Sequence, residues 1–307
     1  MELQSARDKP RQPKTPRPAS TVIFTRHHNG ELQVYLLRRS SRSGFMPGNY
    51  VFPGGTVDPE DCAPGFWKAH VDMDSKSISR RLGGGLTVDE ALAHGVAAVR
   101  ETFEEAGVFL AHRSEQTWDD LEKVCHRREA ATLPKGWLRD WVVSDGWTLA
   151  FSLLAPWSHW ITPEARSRRY DTRFFLTIMP SGQQCIPDTR ETTNGIWINP
   201  EKGLGANLQG GIPLSPPTLV TLHELLQYHD MKTLEKELEN RQWGETRLPL
   251  LIRSSQETMI VLPWDPMYDQ VSEIDVNALV KVPLTLDQDF SRLWYQEGIW
   301  RPVQNRG

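Results

Sequence analysis

Glu101, Glu104 and Glu105 stand at i, i+3 and i+4 within Arg100-Glu101-Thr102-Phe103-Glu104-Glu105-Ala106-Gly107-Val108, a spacing that gathers three carboxylates into one narrow sector of a helix surface. Each like-charged i,i+4 pair costs about 0.2–0.5 kcal/mol in an isolated helix, so the cluster calls for a compensating charge. Carboxylate oxygens are hard ligands that suit Mg²⁺ or Mn²⁺, and Mg²⁺ characteristically combines a few carboxylates with water and substrate phosphates. The chemistry indicated is metal-assisted attack on a phosphate. The plainer reading is a solvated acidic face, the commoner origin of such runs.

Other residues shift the balance. Phe52-Pro53-Gly54-Gly55-Thr56-Val57-Asp58 holds paired glycines, which let a chain approach a ligand closely. Gly107 is a natural stop for the acidic helix. Arg100 to Val108 resembles the second half of the Nudix hydrolase box, G-x5-E-x7-R-E-U-x-E-E-x-G-U, apart from Thr102 at the first apolar position. The first half does not fit in register, for its glycine would fall at Leu86 and its glutamate at Leu92. With Gly55 as the glycine, the box carries an insertion of about 31 residues, roughly 59–85, which polar composition assigns to a surface loop that could cover substrate.

An interrupted box resembles one Nudix branch in particular, which includes a peroxisomal coenzyme A diphosphatase of mammals and many bacterial relatives. Gly44-Phe45-Met46-Pro47-Gly48, Trp160-Ile161-Thr162-Pro163, Arg169-Tyr170-Asp171-Thr172-Arg173-Phe174-Phe175 and Leu214-Ser215-Pro216-Pro217-Thr218 add to the likeness. The resemblance implies an α/β fold, a Nudix-type α/β/α sandwich with a mixed sheet, the long insertion and a C-terminal extension. It implies that Glu104 and Glu105 are central metal ligands and that Glu101 ligates metal or assists base catalysis, all three counting as catalytic. Arg100 then braces the helix, and Gly55 and Gly107 give structural support. The expected cofactor is Mg²⁺ or Mn²⁺. The expected substrate is a nucleoside diphosphate derivative, coenzyme A or acyl-CoA first. The alternatives are a diphosphatase for dinucleotides, nucleotide sugars or capped RNA, or a non-catalytic ligand sensor. All three glutamates are present, which disfavours the sensor, since a binding module has no need to tolerate their repulsion.

Elements must position this cluster. Thr87-Val88-Asp89-Glu90 offers a capping box, and Ala91, Leu92, Val96, Val99 and Phe103 form an apolar stripe opposite the carboxylates. Ser20 to Thr25 and Leu32 to Arg38 read as strands joined at His28-Asn29-Gly30, with Tyr50 to Phe52 as a further strand. Residues 115–145 read as largely helical, Arg173 to Ile178 and Gly195 to Ile198 as strands, Thr218 to Leu238 as helical and Met259 to Leu262 as a late strand. Residues 1–19, basic and proline-rich without an apolar core, read as a disordered tail. The catalytic domain is set at 20–230 and an extension packed on it at 231–307.

Composition bounds the rest. A chain of 307 residues holds one large domain or a domain with an extension. Net charge of −4 gives no reason to expect a nucleic-acid partner. Cys62, Cys125 and Cys185 form neither a disulfide framework nor a zinc spacing, which suggests reduced thiols and a cytoplasmic location. The longest largely apolar stretch, Trp147 to Trp157, is too short for a bilayer, which needs about 20 residues. No membrane partner is expected and a homodimer is left open. The terminal Asn305-Arg306-Gly307 is not a small-basic-leucine peroxisomal address. His27-His28 is a poor metal pair because neighbours on a strand face opposite ways. The tryptophans read mainly as core anchors, and Arg168, Arg169 and Arg173 stand between phosphate contacts and structural pairs.

Overall fold

Alternation along the first two strands builds three layers. The computed structural model describes residues 14–42, 44, 46–114, 118–130, 133–188, 192–255, 257–276 and 281–305. Strand β1 (Arg17–His28) and β2 (Glu31–Arg39) pair in antiparallel fashion around Asn29 and Gly30, both at positive φ, as a tight hairpin demands. Arg17, Pro18 and Ala19, assigned by composition to the tail, instead open β1, where Ala19 pairs Thr56. Val22 and Phe24 face one core, whereas Ile23 faces another, the period-two consequence of the strand pleat.

The remaining chain fills in around this hairpin. After β3 (Tyr50–Val51) and β4 (Gly54–Thr56) come α1 (Pro64–Trp67), α2 (Ser75–Leu82) and the glutamate helix α3 (Val88–Ala106). The short β5 (Ala111–His112), α4 (Trp118–Ala130), α5 (Trp137–Asp145) and β6 (Thr148–Leu149) follow. Then β7 (Ala155–Ile161), β8 (Tyr170–Ile178), β9 (Thr192–Ile198), α6 (Pro200–Leu208), α7 (Pro216–Leu225), α8 (Met231–Asn240) and β10 (Thr246–Arg247) complete the main layers. The principal sheet runs β10-β7-β8-β1-β2-β3, with β4 added to β1 and β9 to β2. It is mixed, since β1 pairs β8 and β7 pairs β10 in parallel while the other pairs are antiparallel. Helix α3 covers one face and α6, α7 and α8 the other.

Three regions depart from the sequence reading. The insertion is not an open loop: Trp67, Ile78 and Leu82 are fully buried in the α3 core, so apolar residues at helical spacing outweigh its polar composition. The helical stretch expected over Thr218 to Leu238 is two helices, because Asp230 accepts from Thr233 N and starts α8 afresh. The C-terminal segment, without evident periodicity, forms an antiparallel sheet β11-β12-β14-β15-β13, comprising β11 (Leu250–Arg253), β12 (Thr258–Val261), β13 (Lys281–Pro283), β14 (Arg292–Gln296) and β15 (Ile299–Asn305). Its strands are short and polar-interrupted, which hides the alternation. Arg247 Nη2 and Trp157 Nε1 converge on Glu224 at 2.6 and 3.0 Å, tying the approach to this sheet onto the main layers. No helix among the described residues is long and apolar enough to cross a membrane.

Candidate active site

Local rules place α3. Thr87 Oγ1 accepts from Glu90 N while Glu90 Oε2 accepts from Thr87 N, so the capping box forms at its start. At its end Gly107 adopts φ 71° and donates to Phe103 O at 3.0 Å. Thr102, where the box has an apolar residue, is buried with its hydroxyl directed at Ala98 O and Val99 O of the preceding turn. Its polarity is satisfied within the helix, which is why the substitution fits.

The glycine turn meets this helix at the sheet. Strand β1 gives Ala19, Ser20 and Thr21 to β4 and its far end to β2, so the two neighbours share one edge of β1. Gly54 sits at φ 153°, and a Cβ there would meet Ser20 O at 2.3 Å. Its N–H donates to Glu105 Oε2 at 2.8 Å. A Cβ on Gly55 would stand 2.4 Å from Glu101 Oε1, so the bare glycine makes room for that carboxylate.

Arg100 organises the cluster from within. Its Nε and Nη2 grip Asp61 at 3.0 and 2.8 Å, Nη2 also donates to Thr56 O at 2.8 Å, and Nη1 donates to Glu101 Oε1 at 2.8 Å and Glu104 Oε2 at 3.1 Å. Burial alone would lower the Arg100 guanidinium, but Asp61, Glu101 and Glu104 more than reverse this and hold it above its ordinary value. Burial pushes the Glu101 carboxyl up to about 8, with Glu105 and Glu104 adding to the effect and Arg100 opposing it. Trp137 Nε1 donates to Glu104 Oε1 at 2.6 Å. That indole is held by edge and tilted contacts to Phe103, Phe109 and Trp141.

All three glutamates, Arg100 and Gly55 line one cavity of about 660 Å³, whereas Gly107 only ends the helix. Its other walls include Trp160, Ile161, Phe174 and Pro216, Asp58 and Asp188, Arg39 and Arg166, and Pro249 and Ile260 from the C-terminal region. No residue of 60–85 lines it, so the insertion acts through Asp61 on Arg100 and does not roof the site. Sequence reading missed Asp61, Trp137 and Arg166, which are brought to the site by tertiary contacts with no fixed spacing to the glutamates. Arg169 and Arg173 donate to the backbone oxygens of Thr162, Lys14 and Gly84, and Arg168 packs against Gly44; none of the three lines the cavity. His27 and His28 are at the exposed end of β1. Phe45 lies outside the described residues, as does Glu191, whose place ahead of Trp197 in the sequence reads equally as surface charge or as a remote catalytic carboxylate.

A hard divalent cation suits this donor set in kind, because the available ligands are carboxylates whose mutual repulsion a positive charge would relieve. Among the described residues, however, no three His, Cys, Asp or Glu side chains are gathered as one metal site. Arg100 bonds both Glu101 and Glu104 and offsets part of their mutual repulsion. Each of those oxygens keeps a second lone pair for a ligand.

A mixed sheet between helical layers, with a capped helix presenting Arg100, Glu101, Glu104 and Glu105 beside a glycine turn, defines a Nudix hydrolase. A solved Nudix hydrolase from Alicyclobacillus acidocaldarius shares the fold, with a TM-score of 0.57 and 24% identity over 76% of this chain and 99% of that one. The family described as the NUDT19 Nudix domain matches residues 6–225, and the chain belongs to it. It is 26% identical to the acyl-coenzyme A diphosphatase NUDT19 of Xenopus laevis over 80% of this chain and 73% of that protein. Identity to the human protein of that name is 28%, over 80% of this chain and 75% of the relative.

Proposed function

We propose that this Nudix hydrolase is a divalent-metal-dependent diphosphatase acting on coenzyme A or acyl-CoA, giving 4′-phosphopantetheine or its acyl form together with 3′,5′-ADP. The observation that carries the reading is that the braced glutamates share one cavity with apolar side chains. Its volume lies within the range of about 300–1,000 Å³ usual for small-molecule sites. The names of the relatives supply the substrate class.

Mg²⁺ or Mn²⁺ held by Glu101, Glu104 and Glu105 would supply neutralisation of the anhydride oxygens and a more acidic water. Arg100 keeps Glu101 and Glu104 together against their repulsion, and Gly54 N–H holds Glu105. Trp137 fixes the second oxygen of Glu104. In the reaction the water oxygen bonds to one phosphorus, the P–O bond to the bridging oxygen breaks, and a cluster carboxylate accepts the water's proton. Trp160, Ile161, Phe174 and Pro216 offer apolar surface to the organic part of the substrate. Residues 231–307 serve residues 20–230 as an extension, since Pro249 and Ile260 complete the cavity. The three free cysteines suit a reducing, cytosol-type compartment.

The test is a mass-spectrometric product assay with Mg²⁺ or Mn²⁺ on coenzyme A, acyl-CoA, NADH, ADP-ribose, a nucleotide sugar and capped RNA, with Glu104→Gln alongside. Metal-dependent release of phosphopantetheine by the wild type, lost in Glu104→Gln, is the expected result. Preference for another diphosphate would overturn the substrate, and no turnover on any would favour a ligand sensor.

A further inference from the structure

Arg166 is a half-buried cation on the wall of the same cavity, and neither it nor Arg253 has a carboxylate or other side-chain hydrogen-bond partner among the described residues. Other arginines around the site are engaged: Arg100 is spent on Asp61, Glu101 and Glu104, Arg169 on two backbone carbonyls, and Arg39 has a partner of its own. Arg166 also feels the like charge of Arg253, at the end of β11. Burial first, and that repulsion second, lower its guanidinium from the ordinary value. A cation that bonds no carboxylate among the described residues, in a partly apolar cavity, is stabilised by an arriving anion.

The loop that carries Arg166 is held firmly. Arg166 N donates to Pro163 O, Thr162 N donates to Tyr170 O, and Tyr170 N donates back to Thr162 Oγ1. Arg169 Nε closes the loop onto Thr162 O at 3.0 Å. The loop joins β7 to β8, and β7 lies two strands from β1, roughly 10 Å at the usual strand spacing. The glutamate helix instead packs over β1 and β4. Arg166 is therefore displaced from the diphosphate centre, on the part of the cavity wall that also holds Trp160, Ile161 and Pro163.

We propose that Arg166 forms a subsite for a phosphomonoester on the substrate's ribose, and so selects coenzyme A over diphosphates that lack one. The choice of the 3′ position rests on the coenzyme A reading above; the anion subsite itself does not. A guanidinium matches a phosphate dianion in geometry as well as charge.

Binding of the nucleotide product tests this without turnover. Full-length wild type, Arg166→Ala and Arg166→Lys are titrated by calorimetry with adenosine 3′,5′-bisphosphate, adenosine 2′,5′-bisphosphate and 5′-AMP, after thermal unfolding has shown which variants are folded. Wild type should bind the 3′,5′-bisphosphate about ten- to hundredfold more tightly than 5′-AMP, the worth of a charged hydrogen-bonded contact. Arg166→Ala should abolish that preference with 5′-AMP binding unchanged, and Arg166→Lys should restore part of it. Equal binding of bisphosphate and monophosphate by wild type, no binding of either, or equal loss of both in a folded Arg166→Ala overturns the subsite. Tighter binding of the 2′,5′-isomer overturns the 3′ assignment. A protein that fails to hydrolyse coenzyme A yet keeps an Arg166-dependent preference refutes the proposed substrate and upholds the subsite.

Discussion

Arg100 and Asp61 form a buried two-pronged ion pair, Nε to Oδ1 at 3.0 Å and Nη2 to Oδ2 at 2.8 Å, that joins the insertion to the glutamate helix. The same guanidinium reaches Glu101 and Glu104 through Nη1. The insertion is thus joined through Arg100 to two of the three glutamates. Asp61→Ala should cost about 3 kcal/mol, because it leaves a buried arginine without its principal partner. Activity should fall in the fraction that remains folded, since Arg100 is then drawn wholly towards the glutamates. Urea unfolding together with initial rates checks this; a variant as stable and as active as wild type would show that the pair is ornamental.

Gly54 and Gly55 separate a fold requirement from a site requirement. At Gly54 a Cβ would meet the backbone oxygen of Ser20 at 2.3 Å, and φ is 153°, so Gly54→Ala should destabilise by about 1–3 kcal/mol. At Gly55 the obstruction is the far end of Glu101, which can swing aside. Gly55→Ala should therefore fold with near-normal stability and lose about tenfold or more in kcat. Equal loss of stability in both variants, seen in thermal unfolding, would contradict the distinction.

What could be read from residues was what is local. The capping box at Thr87 and Glu90, the Asn29-Gly30 hairpin and the common face of Glu101, Glu104 and Glu105 depend on spacings of a few residues, and each is found in place. The α/β/α layering with a mixed sheet followed from resemblance more than from pattern. Asp61, Trp137 and Arg166 were not legible, because their roles arise from contacts across 33 residues or more, or from a cavity wall built by distant segments. The buried insertion had a readable signal in Trp67, Ile78 and Leu82, masked by the polar residues between them. The helical spacing over 218–238 is realised as two helices, because a capping aspartate at Asp230 counts for more than continuing apolar spacing.

Trp137 links an aromatic core to Glu104, one of the carboxylates proposed to hold metal. Trp137→Phe preserves most of the packing against Phe103 and Phe109 but removes the donor that holds Glu104 Oε1. A hydrogen bond to a charged group is worth about 1.5–3 kcal/mol. Activity should drop about tenfold while the unfolding midpoint shifts only a few degrees. An unchanged kcat would mean that Glu104 is oriented without the indole.

His94 makes stability sensitive to acid at a place remote from the carboxylates. It is buried on α3, where its Nδ1 lies 3.1 Å from Ser20 Oγ, and burial, reinforced by the charge of Arg173, lowers its imidazole to about 4. The unfolded chain takes up this proton near pH 6.5, whereas the folded chain resists until about 4. Between those values the unfolded state binds more protons, so the contribution is complete above the unfolded value and is lost as pH falls through the folded one. The total is up to about 3 kcal/mol, at 1.36 kcal/mol per pH unit. His94→Gln should be less stable than wild type at pH 7.5, with the gap narrowing as pH falls from 6.5 towards 4. Urea denaturation across that range reads the difference directly, and parallel curves would show that His94 is not held neutral by the fold.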